Sequence, residues 1–296
     1  MDAVTVLMPT RALPERAALL QRAIDSVLQQ RQVHVVPLIV INGPSADAAL
    51  VRALQAVDRL RVTRLEQASL PGALHYGRGL VETAYFAELD DDDVLLPDAL
   101  ATRLDGLRAH PSCDVVITTG FRRTAAGDEI HVQDATAIRR DPLRALCGSN
   151  WLLPGSWLCR TSPASERLFE RMPPYLECTW LAVQFAMRHT MHFLEEPTVA
   201  WHVDSPRAVS RSREYVLGQV SALERILELD LPPAVRAAFR RQVSRACHEI
   251  ADLRLREGDR RAALAWHVRS MREPGGLRWL PFTRRLVLQG NQRPPS

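Results

Sequence analysis

The stretch AYFAELDDDDVLLPDAL, residues 84–100, decides how the rest of the chain is understood. Tyr85 to Leu89 has the length and apolar character of a buried strand, and it runs straight into Asp90, Asp91, Asp92 and Asp93. Four consecutive carboxylates repel one another at short range. A folded chain keeps them together only with help from solvent, a cation or a hydrogen-bonding ligand. Carboxylate oxygens suit Mg²⁺ or Mn²⁺, ions that complete their shell with water and a substrate's phosphates. The plain alternative is a solvated acidic turn, with Asp93 or Asp98 capping the helix that follows Pro97.

Working outward, Val4 to Met8 is another short apolar run, closed by Pro9-Thr10-Arg11, and reads as a buried strand ending in a loop. A helix follows, with Pro14 in its first turn and Leu20, Ile24, Val27 and Leu28 on one face. Val35 to Ile41 predicts a second strand ended by Asn42-Gly43-Pro44-Ser45, then a helix over 48–56 and a third strand over 61–65. Residues 73–84 predict the helix before the aspartate strand. Later expectations are a helix over 100–107, a strand over 114–119, weaker strands near Ile130 and Trp157, a helix over 180–188, and a strand pair near Phe193 and Trp201. Alternating strands and helices argue for an α/β fold with a mostly parallel sheet flanked by helices, whose ligands sit at the carboxyl ends of strands. From about residue 214 only helical patterns remain, with stripes at Val216, Val220, Leu223 and Leu227, at Val235 to Leu253, and at Leu264, Val268 and Met271.

Residues 84–100 resemble the signature of family 2 glycosyltransferases of the GT-A type, in which a strand enters an LDxDD run followed by an apolar stretch and Pro-Asp. The similarity extends to VTVLMPTR, to the helix ending Ser26-Val27-Leu28-Gln29-Gln30, to LIVINGPS, to residues 70–80, to 150–160, to 177–188 and to PTVAWHVDSPRAVSRS. It covers about residues 3–211, and the aspartate motif is its most specific part. The resemblance implies a Rossmann-like GT-A domain over 1–210 with a basic helical extension over 211–296. It also implies an inverting, metal-dependent transfer of a sugar from a nucleotide-sugar donor, UDP-linked by family precedent, to an unknown acceptor.

Residue by residue, the resemblance places Pro9, Thr10, Arg11 and Asn42 around the nucleotide, Asp90 and Asp91 near the ribose, and Asp92 on the Mg²⁺ or Mn²⁺ that bridges the diphosphate. Arg78 is a candidate second cation for the diphosphate, and His202, with Asp204 nearby, a candidate metal ligand. The catalytic base comes, in this family, from an acidic pair opening a helix; here that pair aligns with Glu177-Cys178, so Glu177 is the candidate base, with helix capping as its other role. The chain departs from the family at Asn42, where an aspartate is common, and at Tyr76-Gly77, where Arg-Asn is common. Trp151, Trp157, Trp180 and Trp201 are of the type that stacks on sugars, although tryptophans in this fold are mostly core.

Composition excludes other chemistries. All 38 basic residues are arginine, so the lysine required by P-loop ATPases, protein kinases and Schiff-base enzymes is absent. The Gly-rich loop and lysine near the N-terminus that a nucleotidyltransferase usually has are also absent from this chain. Five widely spaced cysteines form no zinc-type pair. The start MDAVTVLMPT lacks a basic, apolar leader, and no window reaches the ~18 apolar residues of a membrane span. A reduced, cytoplasmic protein is expected. Residues 1–206 carry 20 arginines against 25 acids, whereas 207–296 carry 18 against 9, a local net charge of +9. That balance does not call for nucleic acid; it fits a solvated helical surface or peripheral contact with an anionic membrane. The alternative to an enzyme is a degenerate, non-catalytic nucleotide-binding fold acting as a binding or scaffold protein, favoured by Cys178 in place of the second acid.

Overall fold

The computed structural model describes residues 2–203, 209 and 212–288. The chain divides into two compact units, Met1–Pro206 and Arg207–Ser296. Asp204 and the 210/211 boundary lie outside the described residues.

The first unit is one sheet flanked by helices. Its strands are β1 (Ala3–Thr10), β2 (His34–Asn42), β3 (Arg61–Leu65), β4 (Tyr85–Glu88), β5 (Val94–Leu95), β6 (Val115–Thr124), β7 (Gly127–Ile130), β8 (Trp157–Arg160) and β9 (Met191–His202). Its helices are α1 (Ala17–Leu28), α2 (Ala48–Gln55), α3 (Leu70–Gly79), α4 (Ala99–Ala109), α5 (Thr136–Arg140), α6 (Pro142–Ala145), α7 (Pro163–Glu166) and α8 (Glu177–Arg188). The sheet order is β3-β2-β1-β4-β8-β6-β9-β5, with β7 paired to β6. β3, β2, β1 and β4 run parallel. Antiparallel β8 then separates β4 from β6, β6 and β9 pair in parallel, and β5 closes the edge antiparallel to β9. The parallel character is therefore concentrated in the N-terminal half, and the remainder of the sheet is mixed.

β1 is central and buried from Val4 onward, as a β-branched, apolar run flanked on both sides must be. The chain runs from β1 outward to β2 and β3 on one side and then crosses back through α3 to β4 on the other side of β1, so the crevice at the carboxyl ends of β1 and β4 is a topological switch point. Thr10 ends β1 and the aspartate run follows β4 at that crevice. Fully buried Arg103 on α4 ties the later strands together by donating to Thr198 Oγ1 at 2.6 Å and to the Trp157 carbonyl at 3.1 Å.

Two expectations for this unit are corrected. The helix expected over 73–84 spans Leu70–Gly79: Ser69 caps its start by accepting from Gly72 N at 3.0 Å, Gly79 ends it, and Thr83 Oγ1 instead pairs with Thr5 Oγ1 at 2.7 Å. The strand pair near Phe193 and Trp201 is one twelve-residue strand, β9, whose polar Glu195-Glu196-Pro197 segment imitates a turn. Register shifts at Thr118/Thr119 and Thr119/Phe121 absorb that segment. Gly120 permits this: a Cβ there would lie 2.5 Å from the Val199 carbonyl oxygen.

The second unit holds α9 (Arg213–Leu227), α10 (Pro233–Arg256), α11 (Arg260–Arg272), a 3₁₀ turn over Gly276–Trp279 and α12 (Phe282–Leu288). On α9 Val220 and Leu223 are buried as expected, joined by Ala222 and Ile226, while Val216 and Leu227 are half-buried; on α10 the stripe is buried from Val235 to Ile250 and Leu253 is half-buried. On α11 the buried face is Ala263, His267 and Ser270, and Leu264 is 52% exposed. Small residues let α10 approach closely, with Ser244 Oγ donating to the Ser270 carbonyl at 2.8 Å. Among the described residues, no helix is long and apolar enough to cross a membrane.

Candidate functional site

The tight turn after β4, closed by Asp93 N donating to the Asp90 carbonyl at 3.2 Å, folds the aspartate run back on itself. Oxygens of Asp90, Asp92 and Asp93 thereby come within 4.8 Å of one another. Asp91, the remaining member, faces β1: it accepts from Thr10 Oγ1 at 2.7 Å and is paired with the Arg16 guanidinium. Arg16 also reaches Asp92 Oδ2 at 3.1 Å, and Arg22 donates to the Asp92 carbonyl at 2.6 Å. The ion pairs hold Arg16 well above an ordinary guanidinium against the opposing effect of burial.

Burial, then the charges of Glu88 and the neighbouring aspartates, push the Asp90 carboxyl well above the usual carboxylate range. Burial and Asp92 do the same to Asp93, which is partly relieved by accepting the His202 N–H at 2.8 Å. Asp93 Oδ2 remains buried without a hydrogen-bond partner. Three converging hard oxygen donors, mutually repelling and with one orphaned oxygen, fit a divalent cation such as Mg²⁺ or Mn²⁺. His202 is not part of the three-acid group. Its Nδ1 lies 3.9 Å from Asp93 Oδ1, and burial, then Arg22 and Arg123, push its pKa down.

Glu177 opens α8 behind two bulky residues in the left-handed region, Tyr175 (φ 65°) and Leu176 (φ 55°). Left-handed backbone at such residues costs energy and clusters at functional sites. Glu177 Oε1 accepts the Tyr175 N–H at 2.8 Å, and burial raises the carboxyl. Glu88, fully buried on β4, carries an unpartnered Oε2; burial and then the Glu177 charge push it up to about 7. Burial, followed by the charges of Glu88 and Asp90, raises the Cys178 thiol well above its ordinary value. Glu88, Glu177 and Cys178 thus share one electrostatic environment with the aspartate turn.

The other expected residues are distributed as follows. Pro9 is buried at the end of β1 and Arg11 is exposed just beyond it. Asn42, at the end of β2, accepts from Ser69 N at 2.6 Å and so braces the loop entering α3. Arg78 departs from its expected diphosphate role: it is buried, donates to the Ser162 carbonyl at 3.1 Å and Ser165 Oγ at 2.9 Å, and lies over the Phe86 ring at 4.8 Å. The cations at the aspartates are Arg16 and Arg22, one helical turn or more past β1, which no local pattern singled out. Trp151, Trp157 and Trp180 are core residues.

Residues 5–157 match the profile of Glycosyl transferase family 2. Among solved structures, the chain is similar to S. aureus TarS 1–349 in complex with UDP-GlcNAc, at 14% identity and a TM-score of 0.56, covering 84% of this chain and 72% of that one. It is also similar to TarS 1–349 in complex with UDP, at 14% identity and a TM-score of 0.53, covering 84% and 71% respectively. No curated protein sequence matches. At such identity the likeness shows the fold, a GT-A-like mixed sheet, and leaves the chemistry to the residues themselves.

Proposed function

The chain belongs to glycosyl transferase family 2, and on that premise we propose that it transfers a sugar from a nucleoside diphosphate donor to an acceptor hydroxyl, with inversion at the anomeric carbon. The observation that carries this is the convergence of Asp90, Asp92 and Asp93 within 4.8 Å at the switch point of the sheet, beside Thr10. In this proposal residues 1–210 are the transferase domain and 211–296 its basic extension. The UDP-GlcNAc and UDP complexes of the similar TarS structures support a uridine nucleotide as the first donor to test.

Pro9, Thr10, Arg11 and Asn42 border the nucleotide in this scheme, with Asp90 toward the ribose. Asp92, with Asp90 and Asp93, would hold Mg²⁺ or Mn²⁺, which supplies positive charge to the departing diphosphate. Asp91 keeps Arg16 at the rim, where fixed positive charge favours an anionic substrate. The acceptor oxygen attacks the anomeric carbon from the face opposite the diphosphate. As that bond forms, the bond from carbon to the phosphate oxygen breaks and the nucleoside diphosphate leaves with the electron pair. The acceptor's proton passes to the Glu177 carboxylate, whose burial shifts its pKa in the direction a general base requires.

Thermal denaturation with a panel of nucleoside diphosphates, with and without Mn²⁺, tests the donor site by mass action. UDP with Mn²⁺ is expected to raise the midpoint, and no response to any nucleotide would overturn the proposal. Glu177→Gln is expected to retain that response while donor turnover falls roughly 10²-fold or more. A parent protein that binds UDP with Mn²⁺ but turns over no donor would instead be a binding fold.

A further inference from the structure

The chain from Gly276 to Leu288 coils almost continuously, because the Leu277, Leu280 and Pro281 carbonyls accept from N–H groups three residues on and bridge the 3₁₀ turn to α12. Its inner face is locked. Trp279 stacks on His248 with ring centroids 3.8 Å apart and donates through Nε1 to Ser244 Oγ at 3.2 Å. Phe282 and Leu286 are buried in the small core of this unit, His267 Nε2 bonds Thr283 Oγ1 at 2.9 Å, and Arg260 donates to the Leu286 carbonyl.

The outer face is the unexpected one. Leu277 is 75% exposed, Leu280 57% and Val287 67%, at the spacing that aligns them along one side of a helical coil. Folding of this unit does not require them to be apolar, since the opposite side supplies its packing. Arg278 and Arg284 are exposed beside them and make no ion pair among the described residues. Residues 274–296 contain four arginines and not one Asp or Glu. An apolar ridge flanked by uncompensated guanidinium groups matches a surface that is anionic outside and hydrocarbon just beneath. An acidic protein or polyanion would satisfy the arginines and leave the leucines in water.

We propose that this segment is a membrane-docking ridge, in which Leu277, Leu280 and Val287 enter the headgroup boundary of an anionic bilayer while Arg278 and Arg284 pair with lipid phosphates. This goes beyond the transferase reading and does not depend on it.

The test is co-sedimentation of the full chain with phosphatidylcholine vesicles and with vesicles one-third phosphatidylglycerol. The parent should pellet with the anionic vesicles only, and less so as salt is raised. Leu277→Glu with Leu280→Glu should weaken binding by about tenfold or more through lost apolar burial. Arg278→Gln and Arg284→Gln should each weaken it about fivefold. The two leucines and Arg284 are exposed, so melting of those variants should stay parental and separate lost docking from lost folding; the Arg278 guanidinium also lies over the Trp279 ring at 4.5 Å, so its variant is compared at matched folded fraction. Equal recovery on neutral and anionic vesicles would overturn the proposal. So would parental binding by the double leucine variant, which is the outcome expected of a polyanion site. A third overturning result is a parent that ignores vesicles and self-associates in sedimentation velocity until the leucines are replaced.

Discussion

Replacing Arg16 by glutamine removes the guanidinium that bridges Asp91 and Asp92, and the structure allows the consequence to be sized. Arg16 is 19% exposed and Asp91 9%, so water reaches the pair poorly. Breaking a fully buried pair costs about 3–5 kcal/mol, and an exposed one about 0–1 kcal/mol. An intermediate pair nearer the buried limit gives about 2–3 kcal/mol, because four adjacent carboxylates lose their nearest counter-charge. For a unit of this size about 2–4 °C accompanies each kcal/mol, so the melting point should fall roughly 4–12 °C in EDTA. Mn²⁺ should restore part of the loss, since a cation at the acids replaces the missing charge, and the parent should gain less from it. Circular dichroism melts of both proteins, each in EDTA and in Mn²⁺, measure all four quantities. An Arg16→Gln variant melting within about a degree of the parent in EDTA would refute the idea that this arginine holds the acid run together.

Asp92→Asn should abolish Mn²⁺-dependent UDP binding while leaving the fold intact, since Asp92 is only half-buried; titration calorimetry giving a parental affinity would count against Asp92 as a ligand. Glu88 has a folded pKa raised from 4.5 to about 7, so its stability is complete below pH 4.5 and declines as pH rises through about 7. Glu88→Gln should therefore match the parent at pH 4 and exceed it by up to about 3 kcal/mol at pH 8 in urea titrations; an equal offset at both pH values would contradict this. Gly120→Ala should destabilise the first unit by about 1–3 kcal/mol, because its Cβ would meet the Val199 carbonyl at 2.5 Å, and an unchanged urea midpoint would count against that contact.

Local chemistry made much of this protein legible without coordinates. Strand-length apolar runs such as Val4 to Met8, punctuated by Pro9-Thr10 and Asn42-Gly43, announce parallel strands whose carboxyl ends bear the polar residues. An aspartate run at one of those ends announces a site. These signals are confined to a few neighbouring residues, where periodicity and turn chemistry act. The partners of the site are not so confined. Arg16 meets Asp91 across 75 positions because the sheet order sets β1 beside β4, and Glu88 senses the charge of Glu177 from another element altogether. The same reason removed Arg78 from the expected diphosphate site: its helix position is local information, but its commitment to Ser162 and Ser165 depends on how α3 packs. Likewise, composition showed that residues 207–296 are basic, whereas the ridge of Leu277, Leu280 and Val287 emerged only after Trp279, Phe282 and Leu286 had claimed the inner face. Periodicity can say that a helix has an apolar side; which side the core takes is decided by volume and contact with the elements that surround it.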